Sequence, residues 1–426
     1  MKKIIIPVLL VIVLVLLSCT GCYIFFLGSN PQIYPDDSYT GTLTADYAFP
    51  FKNSSVTLSV SIPASTYYGA VNSGSKYIPY TKIATFQYYS DIINDPYQDE
   101  LYQQILDQTD TVKRSRDLTD DEYVELLTTF VQSIPYTTIE VYRYPVETII
   151  DKYGDCDDKS MLLTGLLTRA GYDAVLLVFE EESHATVGIK TTDTTAYPNT
   201  GGYAIIETTS YSYVTDGSFR FEDGTTLTST PAVVHVSEGT KTYGSWAQVD
   251  VILDYRDKAS SMIDQLSSES TSNTENLELI EETVTGYETR LDALISLMDA
   301  ALSEYYSYID QANEVTAQQN QLNRDYNANK ISFAEYSRQW DILDAKHTEL
   351  LATADAIMKE YNAYHAQYKA LYVEYGEYFS TYTSTYANYS STVNEQNWYV
   401  DIYNLIITEP YNRQYIYQIV LDAPSI

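Results

Sequence analysis

The stretch YGDCDDKSMLLTGLLTRAGYD, residues 153–173, places Cys156 among three aspartates at the start of an apolar, helix-like pattern. A cysteine that attacks an amide needs an activated sulfur, a base beside the sulfur and a group that orients the base. Cys156 directly follows an N-cap position, where unpaired N–H groups and the helix dipole stabilise a thiolate and an oxyanion. The pattern therefore predicts Cys156 as the nucleophile of an acyl-transfer site, although the neighbouring carboxylates oppose a thiolate.

The base for this thiol must be a histidine, and the sequence contains four, namely His184, His235, His347 and His365. His184 opens the strand-like run HATVGIK, and Glu207 lies in the next such run, YAIIETT. The start of one strand can lie beside the end of its antiparallel partner, where a carboxylate fixes the imidazole tautomer. We therefore predict a triad of Cys156, His184 and Glu207. Asp216 is a second candidate for the acid, and His235 is interpreted as structural.

The aspartates around Cys156 are explained first by the helix itself. Asp155 can accept the free N–H groups of the first turn, and Asp158 stands at the position of the second half of a capping box. Asp157 has no role that spacing assigns. A metal site is the alternative, but acids in a first helical turn are commonly caps and dipole partners. We predict neither a metal nor a cofactor.

The block GDCDDKSMLLTGLLTRAGYDAVLL, followed by HATVGI and IETT, resembles the transglutaminase-like superfamily of the papain-type fold, over roughly residues 118–210. The resemblance implies that Cys156 is the nucleophile, His184 the base and Glu207 the orienting acid. It also implies an α+β domain with helices packed on an antiparallel sheet. This chain has Glu207 where many relatives have aspartate, and it inserts TTDTTAYPNTGG between His184 and Glu207.

The helices that would position this site have recognisable starts. Asp95 and Pro96 begin one helix, the capping box Thr119–Glu122 begins a second, and Pro145 enters a short third. The helix of Cys156 presents one apolar face and ends before Gly171, a C′ candidate; the face is formed by Leu162, Leu163, Leu166, Leu167 and Ala170. These signals predict a helical first half of the domain.

Strand-like runs surround these helices. They are VTLSVSIPAS before them and AVLLVFE, HATVGIK, YAIIETT, FRFEDG, AVVHVS and VDVIL after them. Together they predict a transglutaminase-like α+β domain over residues 46–254.

A different pattern follows a polar hinge predicted at residues 255–276. Apolar residues then recur at steps of three and four, which predicts an antiparallel α-helical hairpin (coiled coil) over residues 277–395. The first arm has Ile280, Val284, Tyr287, Leu291, Leu294, Met298, Leu302, Tyr305 and Ile309, and the second has Tyr361, Tyr364, Tyr368, Tyr372, Tyr375, Tyr382, Tyr386 and Tyr389. We interpret the tyrosines as packing between the arms, with carbohydrate stacking or a membrane-facing stripe as alternatives. The C-terminal apolar tail, residues 396–426, either packs back on the hairpin or forms a contact surface.

The N-terminus indicates export. MKK precedes the apolar run IIIPVLLVIVLVLL, so residues 1–28 are predicted as a membrane anchor or signal segment, followed by a linker over residues 29–45. We favour a retained anchor; a lipoprotein, from the loosely lipobox-like LLSC and CTGC, and a cleaved signal remain open. Each places the bulk of the chain outside the cytoplasm. Cys156 is then the lone thiol of the exported part, since Cys19 and Cys22 lie in the N-terminal segment.

The charge composition disfavours some classes of binding partner. Lys+Arg total 25 against Asp+Glu 58, a net charge of −33, which disfavours nucleic acid and anionic lipid. We predict an extracytoplasmic thiol acyl-transfer enzyme that attacks a protein or peptide amide, with hydrolysis as the default outcome. The alternative is a catalytically inactive module that serves as a surface scaffold. The expected partners are that substrate, the membrane through the N-terminal segment, and a second copy or another protein through the hairpin.

Overall fold

The computed structural model describes residues 31–74, 82–193, 197–218, 224 and 226–424. The described chain divides into an α+β unit, which ends at Ser261 and resumes at Val400, and a helical unit, Met262–Tyr399. The predicted N-terminal anchor, residues 1–28, lies outside the described residues. No helix within the described part of the chain is long and apolar enough to span a membrane.

The strands are β1 Thr42–Phe51, β2 Ser54–Pro63, β3 Ala174–Phe179, β4 His184–Lys190, β5 Tyr203–Ile206 and β6 Ala232–His235. The α-helices are α1 Ala64–Val71, α2 Lys82–Ile93, α3 Asp99–Ser115, α4 Asp120–Gln132, α5 Pro145–Asp151, α6 Cys156–Arg169, α7 Trp246–Asn327, α8 Phe333–Thr408 and α9 Arg413–Asp422. Short 3-10 helices span Pro96–Gln98, Pro198–Thr200 and Pro410–Asn412.

Two small antiparallel sheets form the β part of the α+β unit. One is the hairpin of β1 and β2, and the other has the strand order β5-β4-β3-β6. The two long helices α7 and α8 follow. The predicted α+β class with a long helical hairpin-like region is therefore confirmed at this level.

The helix starts follow the local signals in the sequence. Capping boxes are present at Thr119–Glu122 and at Asp155–Asp158, and Pro145 is the first residue of α5. At the other end of α6, Gly171 has φ +89°, and the N–H of Tyr172 donates to the carbonyl of Leu167 over 3.0 Å. This is a Schellman motif, so the predicted C′ residue is confirmed.

Helix α6 lies in the main core of the α+β unit. Four of the five residues of its predicted apolar face, Leu162, Leu163, Leu166 and Leu167, are fully inaccessible, and Ala170 is half-buried. Gly165 is needed because a Cβ there would lie 2.3 Å from the hydroxyl oxygen of the buried Tyr102. The helix that carries Cys156 is thus fixed along most of its length.

Two sequence-based assignments differ from the structure, and a third lies mostly outside the described residues. The run VDVIL, predicted as a strand, lies in α7, where Val249 and Ile252 are buried at helical spacing. The linker predicted over residues 29–45 overlaps β1, which the sequence reading missed. FRFEDG falls mostly outside the described residues. The error at VDVIL arises because five residues are too few to distinguish a period of 2 from one of 3.6.

The predicted hinge and tail also form helix. Residues 255–276 lie inside α7, since serine, threonine and asparagine are tolerated on an exposed helix face. In the tail, Arg413 of α9 forms a buried ion pair with Glu125 of α4. The tail thus packs against α4 of the α+β unit, a third arrangement besides the two that the sequence suggested.

In the helical unit the predicted first-arm residues are all buried or half-buried. Many tyrosines of the second arm stack on one another along α8, with ring centroids 5.9 Å apart for Tyr368 and Tyr372 and 6.4 Å for Tyr382 and Tyr386. Tyr372 and Tyr386 are each 55% exposed. Packing between the arms therefore accounts for only part of this stripe.

Candidate active site

Cys156 is the first residue of α6, and its position depends on the cap. The carboxylate of Asp155 accepts the N–H of Asp158 over 3.1 Å, and Asp158 accepts the N–H of Asp155 over 3.4 Å. Gly154 allows this approach, because a Cβ there would meet the Asp158 Cβ at 3.0 Å. The half-buried Cys156 is thus held at the positive end of the helix dipole.

His184 and Glu207 lie within hydrogen-bonding distance. Ile206, the last residue of β5, pairs with Val187 of β4, which brings the following Glu207 back towards the start of β4. His184 Nε2 lies 2.9 Å from Glu207 Oε2. Their exposures are 6% and 1%, so this contact is shielded from solvent.

The backbone of Ala185 connects Cys156 to the strand of His184. The backbone N–H of Ala185 lowers the pKa of Cys156. One helical turn further on, the Ser160 hydroxyl donates to the Ala185 carbonyl over 3.1 Å and lies 3.0 Å from the Thr208 hydroxyl. The structure therefore joins His184 directly to Glu207, and Ser160 joins the helix that begins at Cys156 to Ala185 and Thr208, the residues that follow His184 and Glu207.

Glu207 is held in place by a set of donors. Its Oε1 accepts the N–H of Thr208 over 2.9 Å and the N–H and hydroxyl of Thr209, both over 2.7 Å. Burial raises the pKa of Glu207, but the hydrogen bonds and charge of His184 and the Thr209 bonds outweigh it, so the pKa lies below its usual value. An ionised carboxylate only accepts hydrogen bonds, so His184 Nε2 must be the donor.

A buried lysine, Lys159, lies near Glu207. Lys159 is fully inaccessible, and its Nζ donates to the carbonyl of Ile134 over 2.6 Å and to that of Gln132 over 3.3 Å. Burial lowers its pKa to about 8, while the charge of Glu207 acts in the opposite direction. The side chain of Gln132 donates to the Glu207 carbonyl over 2.8 Å.

The electrostatics at Cys156 favour the thiol. Burial, followed by the charge of Asp157, raises the pKa of Cys156 to about 12. Burial, together with the charge of Asp155, in turn raises the pKa of Asp157 to about 7, although His184 and the Tyr142 hydroxyl lower it. Burial and the neighbouring carboxylates therefore oppose the helix dipole, which favours a thiolate at this position.

The remaining sequence candidates lie elsewhere. Asp216 pairs with Arg256 at 3.7 Å, and His235 is exposed at the end of β6. Glu207 and Asp216 both line a cavity of about 490 Å³. Within the described ranges no group of three or more metal-ligating side chains is assembled.

Sequence reasoning missed several residues that hold the site. Tyr142, whose hydroxyl lowers the pKa of Asp157, is distant in the chain and gave no motif. Ser160 and Thr209 could have been found from their positions in the sequence. Ser160 lies one helical turn after Cys156, and Thr209 ends the run IETT that contains Glu207.

No protein-family model, curated protein or solved structure matches this chain. The resemblance to the transglutaminase-like superfamily therefore stays a prediction.

Proposed function

We propose that this protein is a thiol acyl-transfer enzyme of transglutaminase-like type, with a papain/transglutaminase-like arrangement in its α+β unit. The observation that carries the proposal is the buried 2.9 Å contact between His184 and Glu207, beside the helix start that bears Cys156. A nucleophile, a base and an orienting acid on a helix and two paired strands satisfy the requirements of acyl transfer.

The proposed mechanism assigns each nitrogen of His184. Because Nε2–H donates to Glu207, Nδ1 is the nitrogen that takes the proton from Cys156 Sγ. The sulfur attacks the amide carbonyl, the C–N bond breaks, and the proton passes from Nδ1 to the leaving amine. The resulting thioester is resolved by water, which returns the thiol and releases a carboxylic acid. The Cys156 N–H, at the first helical position, is the donor we assign to the oxyanion.

The raised pKa of Cys156 determines the order of these steps. A thiol whose pKa is about 12 is protonated near neutral pH. Proton removal by His184 therefore accompanies the attack, as with a serine nucleophile, and no preformed thiolate–imidazolium pair is required. Glu207 stabilises the imidazolium as it forms.

The substrate class follows from this chemistry and from the predicted location. We propose a protein or peptide amide as the substrate, and hydrolysis as the outcome. The apolar N-terminal run supports an anchored, extracytoplasmic enzyme, and the charge of −33 argues against nucleic acid. The long helical hairpin supports self-association or binding of another protein.

The proposal is tested by trapping the acyl-enzyme. Full-length protein in detergent, with Cys19 and Cys22 replaced by serine, is treated with p-nitrophenyl acetate and analysed by intact mass. One acetyl group is expected on Cys156, none in Cys156→Ala, and strongly slowed transfer in His184→Ala. His235→Ala is the matched control, since this histidine lies outside the site, and should behave as the parent does. Equal labelling in His184→Ala would refute the proposed catalytic role.

A second candidate function is a non-catalytic module that binds partners through its helical hairpin. The observation that favours it is the raised pKa of Cys156, which is unusual for a catalytic thiol. The same experiment separates the two, because an inactive module shows no acetylation that depends on His184.

A further inference from the structure

Ser160 differs from the other hydroxyl residues of α6 in the acceptor that its hydroxyl binds. The Thr164 hydroxyl donates to the Ser160 carbonyl over 2.7 Å, and the Thr168 hydroxyl to the Thr164 carbonyl over 2.8 Å. Bonds of this kind stay within one helix. The fully inaccessible Ser160 instead donates to the carbonyl of Ala185 in β4 over 3.1 Å. Its hydroxyl therefore joins α6 to the strand that begins at His184.

The contact between Ser160 and Thr208 has a defined direction. The two hydroxyl oxygens lie 3.0 Å apart, and both side chains are fully inaccessible. A serine hydroxyl has one proton, and Ser160 donates it to the Ala185 carbonyl, which can only accept. The Thr208 hydroxyl must therefore donate to Ser160 Oγ, so that Ser160 is a donor to one segment and an acceptor from the other.

These bonds complete a ring that contains the base and the acid of the proposed site. The N–H of Thr208 donates to Glu207 Oε1 over 2.9 Å, and Glu207 Oε2 lies 2.9 Å from His184 Nε2. The backbone joins His184 to Ala185, whose carbonyl accepts the Ser160 hydroxyl. The ring thus closes at Ser160, the member that lies on α6.

The position of Ser160 on α6 relates the ring to the nucleophile. Ser160 lies four residues after Cys156, and residues four apart are neighbours on one face of a helix. The helix therefore holds the thiol and the hydroxyl that closes the ring at a fixed separation. A movement of α6 relative to His184 or Glu207 would have to break a bond of Ser160.

We propose that Ser160 is a positioning residue, whose hydroxyl closes a hydrogen-bonded ring that holds His184 and Glu207 in place against the helix that begins at Cys156. This inference rests on the proposed function, because that function gives the ring its catalytic purpose. A misplacement of about 1 Å can cost about 10²-fold in rate, so a single bridging hydroxyl is expected to matter to the reaction.

Other contacts should preserve the fold when the ring is opened. Gln132 Nε2 donates to the Glu207 carbonyl over 2.8 Å, and Glu207 Oε1 also accepts the N–H of Thr209 over 2.7 Å. Ala185 remains paired with Val178 of β3. Ser160→Ala should therefore loosen the contact between base and acid while the α+β unit stays folded.

The experiment measures single-turnover acetylation of Cys156 by p-nitrophenyl acetate. Full-length protein with Cys19 and Cys22 replaced by serine is used in detergent. Ser160→Ala is expected to slow acetylation by about ten- to a hundredfold. Thr164→Val is the matched control, since it removes a buried hydroxyl that bonds within α6, and its rate should stay within about threefold of the parent.

Thr208 provides an independent test from the other side of the ring. Thr208→Val keeps the shape but removes the donor to Ser160, so it should slow acetylation about as much as Ser160→Ala does. Thr208→Ser retains the hydroxyl and should restore most of the rate. Because both residues belong to one ring, the double variant Ser160→Ala with Thr208→Val should be little slower than either single variant.

A spectroscopic signature tests the ring without the reaction. In protein that contains isotope-labelled histidine, the Nε2 proton of His184 should give a downfield resonance with slow exchange, because His184 and Glu207 are buried. Ser160→Ala should shift this resonance upfield and speed its exchange, while Thr164→Val should leave it unchanged.

Several results would overturn the proposal. They are a Ser160→Ala rate within about threefold of the parent in folded protein, an unmoved His184 resonance, and equal slowing in Thr164→Val. If Ser160→Ala does not fold, equal rates for Thr208→Val and Thr208→Ser overturn it instead. Failure of the proposed function is distinct, because it appears in the parent itself as the absence of acetylation that depends on His184.

Discussion

The variant Glu207→Gln tests whether Glu207 orients His184, because it replaces the carboxylate oxygen Oε2 that contacts His184 with an amide nitrogen. Glu207 Oε1 accepts three hydrogen bonds from Thr208 and Thr209, while Oε2 accepts one from His184. In the variant the amide oxygen must remain on the three donors, because an amide nitrogen does not accept. The amide NH₂ then faces His184 Nε2, so the ring proton moves to Nδ1. The nitrogen assigned to deprotonate Cys156 is thereby blocked.

The expected magnitude follows from the same contact. The variant also loses the negative charge that stabilises the imidazolium. Two unit charges about 4 Å apart attract by about 4 kcal/mol at an effective dielectric of about 20, which corresponds to roughly a 10³-fold change in rate. The burial of both residues keeps solvent from screening this interaction. With the unfavourable tautomer added, we expect acylation of Cys156 to slow by about 10³- to 10⁴-fold.

The assay is the release of p-nitrophenolate from p-nitrophenyl acetate under single-turnover conditions, with Cys19 and Cys22 replaced by serine. Asp216→Asn is the matched control, because this carboxylate lines the same cavity as Glu207 but pairs with Arg256. Thermal unfolding of each variant checks that the fold is retained. A Glu207→Gln rate within about threefold of the parent, in a folded protein, would refute the assigned roles of Glu207 and His184.

Three predictions concern stability. Burial raises the pKa of Asp157 above its unfolded value, so folding penalises the ionised form. Asp157→Asn should therefore raise the free energy of unfolding by about 4 kcal/mol above about pH 7, and the difference should vanish below about pH 4 in chemical denaturation. Gly165→Ala should lower the melting temperature of the α+β unit, because forcing a methyl group against Tyr102 costs about 1–3 kcal/mol and outweighs the helix-propensity gain of about 1 kcal/mol. Arg413→Met leaves the buried Glu125 carboxyl without its ion-pair partner, so it should destabilise the same unit by about 3–5 kcal/mol in denaturant titrations.

Matched variants make these stability predictions refutable. Gly286→Ala lies in α7, where nothing lies within 4 Å of the added Cβ, so it should stabilise the helical unit by up to about 1 kcal/mol. Equal effects of the Gly165 and Gly286 substitutions would contradict the packing argument. Adding Glu125→Leu to Arg413→Met should recover most of the loss, because it removes the carboxyl that has lost its ion-pair partner.

Local order in this protein could be predicted from the sequence because the interacting atoms are close along the chain. The capping boxes at Thr119–Glu122 and Asp155–Asp158 join residues three positions apart, and Gly171 ends its own helix. The apolar period of α6 predicted its buried face for the same reason. The position of Cys156 at a helix start therefore followed from the sequence alone.

The tertiary structure decided what surrounds that cysteine. The pairing of β4 with β5 brings Glu207 to His184 across an insertion whose length no local pattern constrains. Burial shifts pKa values, and it raises the pKa of Cys156 although the position at a helix start favours a thiolate. Short-range hydrogen bonds can be predicted from the separation of residues along the chain. Desolvation and charge coupling cannot, because they depend on which distant segments pack together.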